Sequence, residues 1–161
     1  LKVEAILFMS LIQLKYEEDL QTAAIYARRL YQDYPRNTYY QGHLITILLH
    51  QDRYGEAEEV LRSMEGQEDP WSEMIRTLAR AYVAEKQKHN DLTAGRAYQE
   101  LLELADSFGP FADIYAAMAY MGLSRLHTEK GLNGEARRYE RSASKRTSYP
   151  FFLNEHPSAP R

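Results

Sequence analysis

Histidines, arginines and tyrosines are the residues of this 161-residue chain whose spacing could support chemistry. His43 and His50 are seven apart, which on a helix leaves them about 20° out of phase but ~10 Å apart along the axis, so one ion could not take both directly. Glu85 and His89 have i, i+4 spacing, yet they straddle an expected helix end and lack a second histidine. There is no Gly-x-Ser-x-Gly, no phosphate-binding loop and no dinucleotide fingerprint. Cysteine is absent, which excludes disulfides, thiolate metal sites and a cysteine nucleophile and leaves the compartment open. The sequence therefore points away from an enzyme and calls for no cofactor or metal.

The charged and aromatic residues suggest binding instead. Lys plus Arg is 20 and Asp plus Glu is 23, a formal charge of −3, so there is no global attraction to nucleic acid or an anionic membrane. One local exception is "ARRYERSASKR" at 136–146, which places Arg137, Arg138, Arg141, Lys145 and Arg146 on one expected helix. Such a helix can meet phosphates or acidic protein, but cations also complement a helix C-terminus. Nucleic acid is thus an unlikely partner. Tyrosine is abundant, 13 residues, and Tyr26, Tyr31, Tyr34, Tyr39 and Tyr40 gather in one stretch; packing between helices is the leading use for them and a binding surface the second.

These residues are positioned by helices. Apolar residues recur at three and four, as in Leu7, Leu11, Leu14 and Leu44, Ile45, Leu48, Leu49, and no stretch alternates like a strand. Pro35, Pro70, Pro110 and Pro150 are 35, 40 and 40 residues apart, and proline marks helix boundaries. Each interval also has a polar or glycine-bearing break, which divides it into two helices. The spacing predicts helices at about 3–15, 18–34, 38–51, 54–65, 71–86, 91–106, 110–130 and 133–147, each bound uncertain by ~2–4 residues. Within them Ala23, Ala57, Ala97 and Ala136 recur in the second helix of each pair, small residues that let two backbones approach.

With these prolines and alanines, and with Leu7, Leu11, Leu14 and Leu44, Ile45, Leu48 in matching registers, the chain resembles the tetratricopeptide repeat family over about residues 4–150. The resemblance implies an all-α, right-handed α-α superhelix (a solenoid) of four antiparallel helix pairs, in a single domain with repeats at about 4–37, 38–70, 71–110 and 111–150, followed by a tail at 151–161. The third repeat has extra residues, "EKQKHND", before Ala97, which read as an inserted loop. The family glycine is replaced by Leu11, Ile45, Ala79 and Ser124.

In such a superhelix the first helices line a concave groove, and the resemblance implies a protein-interaction adaptor that binds a peptide or protein segment there. The positions it implies are Phe8, Ile12 and Tyr16 in the first repeat, Tyr39, Thr46 and His50 in the second, Arg76 and Arg80 in the third, and Met121 and Arg125 in the fourth. An aromatic end and a guanidinium end suit a segment carrying an apolar residue and a carboxylate. The alternative is that these arginines pair with nearby acids such as Glu73, three residues before Arg76. The Lys and Asn carboxylate clamp of some family members is replaced by Phe8 and Ile12.

A structural segment of a longer helical-repeat protein or a homo-oligomer is the competing role. "LKVEAILFMSLIQL" at 1–14 is too short and too charged for a membrane span, is not built like a secretory signal, and without an initial methionine reads as an excised or processed segment. Being apolar on both faces, it should be covered by an earlier repeat, a second copy or a ligand. Cytoplasm and bacterial envelope both remain open. In the tail, Tyr149 to Leu153 should fold back as a cap and the residues from about Asn154 should be disordered.

Overall fold

A computed structural model describes residues 2–13 and 19–147 of the chain. All regular structure among the described residues is helical. The helices are α1 (Val3–Ile12), α2 (Leu20–Asp33), α3 (Thr38–His50), α4 (Tyr54–Arg62), α5 (Pro70–Tyr82), α6 (Asp91–Phe108), α7 (Asp113–Glu129) and α8 (Asn133–Arg146). No described helix is long and apolar enough to cross a membrane.

The helix starts are set by short polar side chains that take up otherwise unpaired first-turn N–H groups. Asp19 accepts from Thr22 N at 3.0 Å, Asn37 from Tyr39 N and Tyr40 N at 3.0 and 3.2 Å, Asp69 from Ser72 N at 2.9 Å, and Asn90 from Thr93 N at 3.0 Å. Pro70 is the first residue of α5, where its missing N–H costs nothing, so it marks a helix boundary as a start. Pro110 lies in a 3₁₀ turn, Gly109–Ala112, that leads into α7. The additional residues of the third repeat are not all loop: Val83–Gln87 continue α5 as a π-helical turn, closed by Lys88 N donating to Val83 O at 3.0 Å.

The contacts divide the chain into two units, Leu1–Ala79 and Arg80–Arg161, with the division inside α5. In the first unit α1 packs on α2, α2 on α3 and α3 on α4. Helix α3 is buried continuously from Gln41 to Leu49, and its Leu44, Ile45 and Leu48 form the core with Ala23, Ala27, Leu30, Ala57 and Val60. In the second unit α6 packs on α7 and α7 on α8, around Tyr98, Leu101, Ala116, Met118, Leu123, Ala136 and Ala143. The recurrent alanines Ala23, Ala57, Ala97 and Ala136 are all buried, as helix-helix approach requires. At Gly122 the approach is extreme, because a Cβ there would lie 2.3 to 2.5 Å from the Tyr98 ring.

The proposed cap at 149–153, the tail beyond it and the groove candidate Tyr16 lie outside the described residues.

Candidate functional site

Helix α1 has one buried stripe, Ile6 and Ser10. The Ser10 hydroxyl donates to the Ala23 carbonyl at 2.9 Å and lies 2.7 Å from His43 Nε2. The hydroxyl has one proton to share between these two neighbours. The fully buried hydroxyl joins three helices, α1, α2 and α3. The other faces of α1 are apolar and less covered. Phe8 is 65% exposed and Met9 is also exposed, while Leu7, Leu11 and Ile12 are half-buried.

The second-repeat candidates separate. Tyr39 is 46% exposed and stacks on Trp71 with ring centroids 6.3 Å apart; burial raises its phenol pKa above the ordinary value, and Tyr40 adds to the shift. Thr46 is buried and its hydroxyl donates back to Gly42 O at 2.9 Å, which removes it from any groove surface. His50 is half-buried, with Nδ1 2.8 Å from Thr46 O.

Each arginine of the expected guanidinium cluster has a carboxylate partner of its own. Arg76 meets Glu73 at 3.1 Å and donates to Gln67 O at 2.9 Å, fastening the link into α5. Arg80 pairs with Glu100 at 2.5 Å, both about half-exposed. Arg125 is the clearest correction. Its side chain is 12% exposed and that of Glu85 4%, and Nε and Nη2 grip the two carboxylate oxygens at 2.6 and 2.8 Å. Tyr98 OH also donates to Glu85 and lies 3.2 Å from Arg125 Nη2, and the guanidinium sits over the Tyr82 ring at 5.7 Å. Met121 is half-buried on α7.

The electrostatics of this network follow from its burial. Desolvation pushes the Glu85 carboxyl up, but the hydrogen bonds and charge of Arg125, with help from Tyr98 and Lys86, outweigh it and hold the group below its ordinary value. Burial drives Tyr98 well up, partly offset by Arg125. Arg125 itself is desolvated, yet Glu85 and the two tyrosines raise it well above its ordinary value. The group that the sequence offered as half of a metal pair with His89 is thus an internal counter-ion. No cluster of His, Asp and Glu able to hold a metal occurs among the described residues.

On α8, Arg146 bridges Asp106 and Asp113 at 2.5 and 3.0 Å, while Arg137, Arg138, Arg141 and Lys145 are exposed. Beside them Tyr120, Glu135, Arg138, Tyr139 and Ser142 line a cavity of about 170 Å³, below the ~300 Å³ at which small-molecule sites begin.

One feature of the first unit was not legible beforehand. Tyr34, Tyr40, Tyr39 and Trp71 touch in succession, at centroid distances of 5.9, 6.2 and 6.3 Å. The crowding of tyrosines before α3 was a signal, whereas Trp71 comes from the start of α5; nearby, Gln41 Nε2 donates to Pro35 O at 2.9 Å and to Ser63 Oγ at 3.2 Å.

Set against protein-family models, curated proteins and solved structures, the chain matches none.

Proposed function

We propose that the chain is a tetratricopeptide-like protein-binding module, its helix pairs wound as a right-handed superhelix, and that it takes an apolar helical segment of another protein on the outer face of α1. The observation that carries this reading is the exposure of Phe8 and Met9 on a helix whose only charged residue is Glu4. Monomeric surfaces rarely spend contiguous apolar area on water, and such patches mark interaction sites. Ten residues at ~1.5 Å each make the face about 15 Å long, a match for three turns of a partner helix laid ridge into groove.

The chemistry of the partner shifts accordingly. With Arg76, Arg80 and Arg125 each neutralised within the chain, the carboxylate once expected on the partner loses its attraction, and apolar contact remains.

Pull-down with the wild-type chain and with Phe8→Glu tests the proposal. Fully burying a Phe side chain is worth about 1.5–3 kcal/mol, so partners retained by the wild type should fall at least tenfold with the variant. Retention of the same partners by Phe8→Glu would overturn it. The same face also suits stacking of a second copy, and sedimentation that depends on concentration and is abolished by Phe8→Glu would identify that role instead.

A further inference from the structure

We propose that the outer face of α4 docks against the outer face of α8 in a second copy of the chain, with Glu58 and Glu59 of one copy meeting Arg138 and Arg137 of the other. The inference stands on residues other than those of α1, so either surface can fail alone.

The two helices follow one pattern. "YGEAEEVLRS" at 54–63 and "NGEARRYERS" at 133–142 align without a gap, with Gly, Glu, Ala, Arg and Ser in common. They also fold alike: α4 starts at Tyr54 and α8 at Asn133, the shared alanines Ala57 and Ala136 are buried, and so are the matched Met64 and Ala143. Matched positions therefore occupy matched places on two similar surfaces. At two of them the charge is reversed. Glu58 and Glu59 of α4 correspond to Arg137 and Arg138 of α8, and all four are exposed.

These charges are not used inside the chain. Glu56 is taken by Arg28 and Arg53, and Arg146 by Asp106 and Asp113. Among the described residues, Glu58, Glu59, Arg137 and Arg138 have no ion-pair partner. At ~100° per residue, Gly55, Glu58, Glu59 and Arg62 fall within about 100° of arc on α4, as Gly134, Arg137, Arg138 and Arg141 do on α8. A Cβ at either glycine would meet nothing within 4 Å, so each face has open space beside its charges.

Charge also sets the direction of the crossing. A parallel arrangement that pairs Glu58 with Arg137 and Glu59 with Arg138 would bring Arg62 against Arg141. In an antiparallel one Glu58 faces Arg138, Glu59 faces Arg137, Arg62 lies over Gly134 and Arg141 over Gly55, so opposite charges meet and like charges do not. A second copy carries both faces and complements each. A polyanion would be drawn to α8 alone and would leave the acidic counterpart on α4 without a role. Opposite charges across an interface fix register and speed encounter more than they add affinity, so the association should be weak and sensitive to salt, the Debye length being about 8 Å at 0.15 M.

Sedimentation of the whole chain over a range of concentrations tests this. At low salt the average mass should rise with concentration, and high salt should return it to the monomer. Glu58→Arg with Glu59→Arg, and separately Arg137→Glu with Arg138→Glu, should each weaken association at least tenfold, whereas Phe8→Glu should leave it in place. An equimolar mixture of the two charge-reversed chains should associate as the wild type does, because each reversed face then meets its complement; that recovery also shows that both variants are folded. The proposal is overturned by a monomer at every concentration in low salt, by association that survives either reversal, by a mixture that stays monomeric, or by a chain that does not self-associate yet binds polyuridylate or phosphatidylserine vesicles through Arg137 and Arg138.

Discussion

Replacing Arg125 with Leu should be among the most damaging single changes in the second unit, through the charge it leaves behind. Glu85 and Arg125 are joined by two hydrogen bonds of 2.6 and 2.8 Å, with side chains only 4% and 12% exposed. Opposite charges about 4 Å apart attract by about 4 kcal/mol at an effective dielectric of ~20, and removing one member of a buried pair costs about 3–5 kcal/mol. At ~2–4 °C per kcal/mol for a chain of this size, the melting temperature should fall by roughly 10 °C. The pH dependence should invert as well. In the wild type the Glu85 carboxyl titrates below its ordinary range, so its contribution is complete above the unfolded pKa of ~4.3 and is lost as pH falls through the folded value. Without Arg125, burial dominates and the folded pKa rises, so stability is present below ~4.3 and lost as pH rises through the new value. The deficit of the variant should therefore be largest at neutral pH and shrink on acidification. Urea unfolding followed by circular dichroism at both pH values measures this, and adding Glu85→Gln to Arg125→Leu should recover more than half of the loss. A deficit below ~1 kcal/mol, the range of exposed ion pairs, or a double variant worse than Arg125→Leu alone, would refute the reasoning.

Gly122→Ala should lower the urea midpoint by an amount equivalent to about 1–3 kcal/mol, because the new methyl meets the Tyr98 ring; an unchanged midpoint would mean that the ring moves at no cost. Arg80→Glu faces a half-exposed partner in Glu100 and should cost less than ~1 kcal/mol, so thermal melting should barely move. Ser10→Ala takes away the hydroxyl between Ala23 O and His43, and denaturant unfolding should show a loss of about 1–3 kcal/mol.

The helices were legible because their signals are local. Asp19, Asn37, Asp69 and Asn90 each begin a helix by bonding a first-turn N–H, and helical spacing placed the interiors within a few residues. The recurrent alanines were readable because a buried small residue leaves a periodic trace. The charged candidates were not, since an arginine on a helix face looks the same in sequence whether it faces a partner or an internal acid. Arg125 finds Glu85 from 40 residues away, and the π-helical turn Val83–Gln87 is what carries that acid. The alternative raised by the sequence, that Glu73 neutralises Arg76, is the arrangement found. Trp71 carries no local signal of its place either, since the ring it stacks on, Tyr39, belongs to a different helix far back in the chain.

Photo-crosslinking from position 8 tests the central claim most directly. A photoreactive phenylalanine analogue replaces Phe8 in one preparation and the exposed Glu58 of α4 in a reference preparation, and both are irradiated in extract of the source cells. The account predicts a discrete adduct with a different protein from position 8, absent from position 58 and abolished when Met9→Glu is added to the same chain. No adduct from position 8, or the same adducts from both positions, would contradict it.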